Sequence, residues 1–389
     1  MERKHMGMND ILPPKLIHRI LLRVPAEDLL RLRFISKLWH SLISHPDFAE
    51  SHYNVISAAS SHSHFFVLKD NTNAYCVQLD TLFHVPTQKE VSLPSIIMPR
   101  YDFRTIGSCR GFLLLNEKPN FVIWNPVTGS SKTISYSRIN LPHNDAIRYG
   151  FGFDASRDDY LIVLSWLDNR YNQHRLVCFS LRTNSWINLD AALPKSMCRW
   201  PKQKLSGFFL HGAIHWLCYS RSDEDYIDDG ILIFDLKERS FSEISIPKQL
   251  EGCHPINLIV LGGCLALYWN DVDNNKTKIW VMKEYKVPSS WILIYEIPYG
   301  MPVCTSNGSD IIALNFTPIY SKIRFGKYNV RGELLNHSPP PLSPYCYFSF
   351  SFCVYTESLL PLPGDIKDRD KKKKTGQECF EQHDDVAKD

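Results

Sequence analysis

The feature that most constrains this chain is a change of hydrophobic period near residue 60. Between residues 10 and 52 apolar side chains recur at helical spacing, with Leu16, Ile17, Ile20, Leu21 and Val24 falling on one face. Beyond residue 62 the pattern becomes short alternating segments rich in Phe, Tyr, Trp, Val and Ile, divided by Gly, Asn, Asp and Pro, which is the signature of strands. One kind of strand end returns six times, in NAYCVQLD, FVIWNP, LVCFSL, ILIFDL, IWVMKE and FGKYNV. Its anchors are Leu79, Trp124, Phe179, Phe234, Met282 and Tyr328, and the intervals between them are 45, 55, 55, 48 and 46 residues.

That period is close to the roughly 50 residues of a kelch-type propeller blade. Most anchors lead through a polar turn to another apolar strand, as in TNSWINL, ERSFSEISIP and PSSWILIYEIP. Glycine-bearing segments (GSCRGFLLL, YGFGFD, GFFLHGAIHW, LGGCLALYW) precede several of them, as expected where strands crowd toward an axis. The expected fold is a small all-α N-terminal unit followed by an all-β domain, a six-bladed kelch-like propeller, with a β-sandwich as the alternative. The aromatic segment from Tyr345 to Tyr355 is one strand more than six forward repeats require. It is expected to pair beside the first unit and close the ring.

In the helical part, Pro13 and Pro14 are placed to open a first helix and Pro25 to end it. A second helix carries Leu29, Leu30 and Leu32. A third, capped by Ser36, carries Leu38, Trp39, Leu42 and Ile43 and stops at Pro46. Some 40 residues is marginal for an independent core, and these apolar faces exceed what such a bundle covers on itself. A partner is implied.

Composition narrows the function. Lys plus Arg number 44 against 41 Asp plus Glu, a net charge of +3, too balanced for a chain that neutralises many phosphates, so nucleic acid is not an expected partner. Eleven cysteines without the short spacings of a disulfide scaffold read as reduced thiols. The polar start MERKHMGMND shows no secretory signal, and the longest apolar run, Leu258 to Trp269, is interrupted by Gly262 and Gly263 and reads as two strands around a turn. Cytoplasmic or nuclear residence, away from membranes, is expected. Residues 363–389 are charged and nearly free of aromatics and read as a disordered tail. Lys371 to Lys374 within it is a solvated charge run or a nuclear-import signal.

Motifs that look chemical are weak. Gly150, Gly152 and Ala155 satisfy a GxGxxA spacing but lead into a strand, where a dinucleotide site needs a helix. His211 and His215 would share a zinc ion on a helix, but on a strand they stand roughly 13 Å apart. Cys253 with His254, and Cys346 with Cys353, lack a second matched pair. No catalytic residue, metal site or cofactor is expected. The stretch from residue 221 to 230 packs Asp223, Glu224, Asp225, Asp228 and Asp229 together, either as a solvated loop or as an acidic lip that steers a basic protein target.

The segment LPPKLIHRILLRVPAEDLLRLRFISKLWHSLISHPDFAESH resembles the F-box. It carries Leu12-Pro13, Ile20-Leu21, Val24-Pro25, Leu29-Leu30-Arg31, Ser36-Lys37 and Trp39 in the family's order, with Phe34-Ile35 replacing a more usual Cys-Val type pair. Downstream, GSCRGFLLL, FVIWNPVTG, YGFGFDASRDDY, FSLRTNSW, GAIHW, ILIFDL, WVMKEY and YTESLLPL look like the F-box-associated domain of plant F-box/kelch proteins, similar to S-locus F-box-like proteins. The resemblance implies an F-box at 8–55, a substrate-recognition domain at 62–362, and a non-catalytic role as specificity subunit of an SCF-type ubiquitin ligase. In that role Leu12, Pro13, Ile20, Leu21, Val24, Pro25, Leu29, Leu30 and Trp39 contact a Skp-type adaptor, which links the chain to a cullin and its RING subunit. The protein substrate is not implied. Two other classes compete: a kelch-like scaffold acting without a ligase, and an enzyme with its site in the propeller channel.

Overall fold

The computed structural model describes residues 13–338 and 352–362, apart from the connecting segments 59–62, 69–72, 80, 85–87, 95–103, 143–146, 169–170, 172, 192, 194–204, 219–229, 252, 254–255, 307 and 318–321. Four helices come first: α1 (Pro14–Leu21), α2 (Ala26–Leu32), α3 (Lys37–Ile43) and α4 (Pro46–Ala58). Pro13 and Pro25 occupy the cap positions of α1 and α2 with extended ψ angles, while the Ser36 hydroxyl accepts from the Trp39 N–H at 3.2 Å to cap α3. Pro46 does not end the helical region. It begins α4, because a proline in the first turn gives up no intrahelical bond, and the helix runs past residue 55. Phe48, Ala49, His52 and Ile56 form the buried face of α4, and the His52 Nε2–H donates to the Val24 carbonyl at 2.8 Å.

The remainder is six separate sheets arranged as blades, which sets aside the sandwich alternative: five have four antiparallel strands, and that of blade three adds the two-residue strand Leu205–Ser206, parallel to Arg148–Asp154. Blade two, in order outward from the axis, is Arg104–Cys109, Phe112–Glu117, Asn120–Trp124 and Ser131–Ser135. Its two middle strands are buried on both sides. Leu113, Leu115, Val122 and Trp124 pack with Phe66 and Cys76 of blade one, whereas Phe112, Leu114, Phe121 and Ile123 pack with Tyr149, Phe151 and Ile162 of blade three. Period-two alternation thus feeds two inter-blade cores from one strand.

The outermost strands differ. Ser185–Asn188 of blade three and Leu334–His337 of blade six are exposed along nearly their whole length. The tryptophans of TNSW and PSSW serve the gaps between blades there: the Trp186 indole donates to the Ser135 carbonyl at 3.0 Å and the Trp291 indole to that of Ser245 at 3.2 Å.

All six anchors lie at or next to the end of the third strand of a blade and all are buried. Ring closure takes the expected form. Phe352–Thr356 is the innermost strand of blade one and pairs antiparallel with Ser63–Leu68, Tyr355 facing His64; residues 345–351 lie outside the described residues.

Hairpins joining the first and second strands are tight. Arg110-Gly111, His211-Gly212 and Gly262-Gly263 hold both central residues at positive φ, the geometry of a type I′ turn. These hairpins share a face with the helices, and most of the longer connections between strands leave from the opposite face.

Candidate functional site

The helices sit on blades one to three, and their inner face belongs to the propeller. Ile17 and Leu21, four residues apart on α1, join Ala26, Leu29, Ile43 and Phe48 in one core with Ile106, Phe112 and Tyr160 of the blades. Leu359, Leu360 and Leu362, which follow the closing strand, enter the same core. Polar contacts fix the junction. The Glu357 carboxylate accepts from the Ala26 N–H at 3.0 Å, and Lys89 pairs with Glu27 at 2.7 Å. The Asn125 amide donates to the Ser358 carbonyl at 2.9 Å. Arg110 pairs with Glu50 and lies 4.1 Å over the Phe153 ring. Burial pushes the Tyr53 hydroxyl beside it up to about 12.

This arrangement divides the nine residues expected to meet the adaptor. Leu21 and Leu29 are 1% and 0% exposed, so both are consumed within the chain. Ile20 is 53% exposed and Pro13 is also on the surface, while Val24, Pro25, Leu30 and Trp39 are half-buried. Leu12 lies outside the described residues. Other large apolar side chains of the head are exposed as well: Leu16, Phe34 and Ile35 are 45%, 88% and 61% exposed. Leu16 and Ile20 form a second i, i+4 pair on α1, turned away from the pair Ile17 and Leu21. Phe34 and Ile35 lie in the connection between α2 and α3, where polar residues are the norm; two large apolar side chains at that point are the signal by which sequence could have found them.

The other residues singled out by sequence have structural partners. Gly150 and Gly152 lie in the strand Arg148–Asp154 of blade three, where a Cβ would press on Ile214 and Trp216, or on Phe209 and Leu236, of blade four. The glycines serve blade packing, not a phosphate. His211 occupies a hairpin turn, and His215 is buried with Nδ1 3.2 Å from the Phe208 carbonyl and Nε2 2.9 Å from the Tyr285 hydroxyl. Burial lowers the His215 imidazole to about 4. Among the described residues no group of three or more His, Cys, Asp or Glu is disposed to hold a metal ion, and no helix is long and apolar enough to cross a membrane. Burial raises the thiols of Cys76, Cys109 and Cys353, which disfavours the thiolate. Asp223, Glu224, Asp225, Asp228 and Asp229 fall between Cys218 and Gly230, outside the described residues, as do His254, Cys346 and Lys371 to Lys374.

Comparison with known proteins agrees with this division. Residues 10–51 match the F-box domain and residues 60–317 the F-box associated beta propeller domain. The F-box protein CPR1 of Arabidopsis thaliana is 28% identical, over 74% of this chain and 73% of its own length. The F-box/kelch-repeat protein At3g23880 of the same plant is 25% identical, over 77% of this chain and 84% of its own. Among solved structures, TolB from Acinetobacter baumannii superposes over 77% of this chain and 69% of its own with a TM-score of 0.44 and 10% identity. The chain belongs to the F-box proteins that carry an F-box associated beta propeller domain.

Proposed function

We propose that this chain is the substrate-recognition subunit of an SCF-type ubiquitin ligase, with its head docked on a Skp-type adaptor and its propeller holding a protein target. The observation that carries the reading is the apolar surface of Leu16, Ile20, Phe34 and Ile35, left exposed on a head whose opposite face is already spent on the propeller. Exposed apolar patches of this kind mark protein interfaces. The adaptor connects to a cullin and a RING subunit, so ubiquitin transfer takes place elsewhere and this chain is non-catalytic. Its contribution is proximity: a tethered target lysine meets the charged conjugating enzyme at raised effective concentration.

The test is co-purification of a Skp-type adaptor with the full chain and with the double variant Ile20→Glu, Phe34→Glu. Both positions are exposed, so the fold is retained, while burying two carboxylates without partners costs several kcal/mol. Loss of the adaptor in the variant is the expected result. Equal recovery with both proteins would defeat the proposal.

A further inference from the structure

We propose that the cleft between blades five, six and one, on the face that carries the helices, binds an extended segment of the target in which acidic side chains stand beside large aliphatic ones. The inference rests on the reading of this chain as a target receptor and names the chemistry its propeller selects.

A cavity of ≈ 790 Å³ opens there, within the range of ligand-binding clefts. Phe83 of blade one and Leu261 and Ile294 of blade five supply apolar wall, and Lys283, Lys327 and His84 supply the ionisable groups. Among the described residues no acidic side chain lines the cleft. Lys327 is held by Asp310 at 3.1 Å, and Lys283 is exposed to solvent. Two lysines against one carboxylate leave an excess positive charge in a cleft lined by polar as well as apolar groups, which complements an acidic side chain.

The apolar surface does not stop at the cleft. Ile292 and Leu293 on the outer strand of blade five are 45% and 47% exposed, and Leu334 and Leu335 on the outer strand of blade six are 53% and 50% exposed. Leu335 belongs to both the cleft and this rim. A ligand confined to the cavity leaves the rim wet, whereas an extended chain covers both. The outermost strand Leu334–His337 has a sheet neighbour on one side only, so its free edge offers backbone groups to such a chain. Among the described residues, large exposed aliphatics gather here as well as on the head, on α1 and in the connection from α2 to α3. The cleft opens on the face of the ring that carries the helices, so a target held there stands on the adaptor's side of the propeller.

The experiment uses the purified full chain and two fluorescein-labelled nonapeptides, one alternating Asp or Glu with Leu, the other with Lys in place of every acid. Fluorescence anisotropy is expected to show binding of the acidic peptide and not of the basic one. Lys283→Glu and Leu335→Asp, both at the surface, should each weaken binding at least tenfold with an unchanged melting temperature. Failure of the acidic peptide to bind, equal binding of the two peptides, or an affinity unchanged in both variants would overturn the proposal. Adaptor capture on the same preparations separates the two readings: adaptor without peptide counts against the cleft alone, and peptide without adaptor counts against the ligase role alone.

Discussion

The backbone N–H of Ala26 donates to the Glu357 carboxylate at 3.0 Å, a bond between the helical head and the end of the ring across 331 positions of sequence. Burial raises this carboxyl to about 7 from 4.5, reinforced by Glu27 and Asp28 and opposed by the N–H groups of Ala26 and Glu27; His64 Nε2 stands 3.9 Å away, and Lys89 is paired with Glu27. An acid whose folded pKa is raised binds more protons in the folded state, so stability falls as pH rises from 4.5 toward 7 and levels off above it. Glu357→Gln keeps an oxygen acceptor for Ala26 and removes the charge. The variant is expected to melt higher than wild type at pH 7.5, with the gap closing by pH 4.5. Melting curves across that window check it, and parallel pH profiles would refute the assignment.

Neighbouring leucine and isoleucine residues of the head should respond in opposite ways. Leu29→Ala removes a side chain that is 0% exposed and is expected to cost about 2–5 kcal/mol. Ile20→Ala, at 53% exposure, should stay within about 0.5 kcal/mol. Adaptor affinity should fall for Ile20→Ala without any loss of stability. Denaturant midpoints and binding measured on the same variants report both effects.

Two glycines at positive φ distinguish backbone strain from close packing. Gly129 has φ +73° with nothing near its missing Cβ, so Gly129→Ala should cost about 1–2 kcal/mol, the penalty of the left-handed conformation alone. Gly111 has φ +85°, and a Cβ there would overlap the Ser358 side chain. Gly111→Ala is therefore expected to be the more destabilising change and to loosen the segment 357–362. Chemical denaturation ranks the two.

Three truncations dissect the closure. Residues 364–389 are charged and nearly free of aromatic side chains, so ending the chain at residue 363 should leave the melting temperature unchanged. Ending it at Thr356 keeps the inner strand but deletes Glu357, Ser358 and the three leucines beneath the head, so the helices should become protease-sensitive while the ring survives. Ending it before Phe352 opens blade one and bares sheet edges, and aggregation is expected. Limited proteolysis and light scattering distinguish these outcomes.

The ring was legible in sequence because its third strands are buried on both faces, so Leu79, Trp124, Phe179, Phe234, Met282 and Tyr328 had to be large and apolar at a regular interval. The outer strands read as apolar through Trp186 and Trp291, yet these indoles serve hydrogen bonds between blades; the strand around Trp186 is largely exposed, and that around Trp291 is exposed at Ile292 and Leu293 but buried at Tyr295 and Ile297. Orientation of the head was not legible. Ile17 with Leu21 and Leu16 with Ile20 are equivalent i, i+4 pairs until the propeller covers one of them. Leu359, Leu360 and Leu362, some 340 positions away, belong to the same core as Ile17 and Leu21, a relationship that no local period reveals. Pro46 read as a stop because a proline before a helix and a proline after one look alike from a single side.

Having the innermost strand of blade one come last also bears on synthesis. When α4 leaves the ribosome, the surface that will hold the head does not exist: Phe352–Thr356 and the leucines beyond it are still untranslated. At roughly 5–20 residues per second, the intervening blades take on the order of 15–60 s to appear. During that interval the core to which Leu21 and Leu29 belong lacks Leu359, Leu360 and Leu362. Nascent chains therefore offer an adaptor a different surface from finished ones, and a chain aborted within blade six never acquires the fixed pose that lets a captured target reach a bound enzyme.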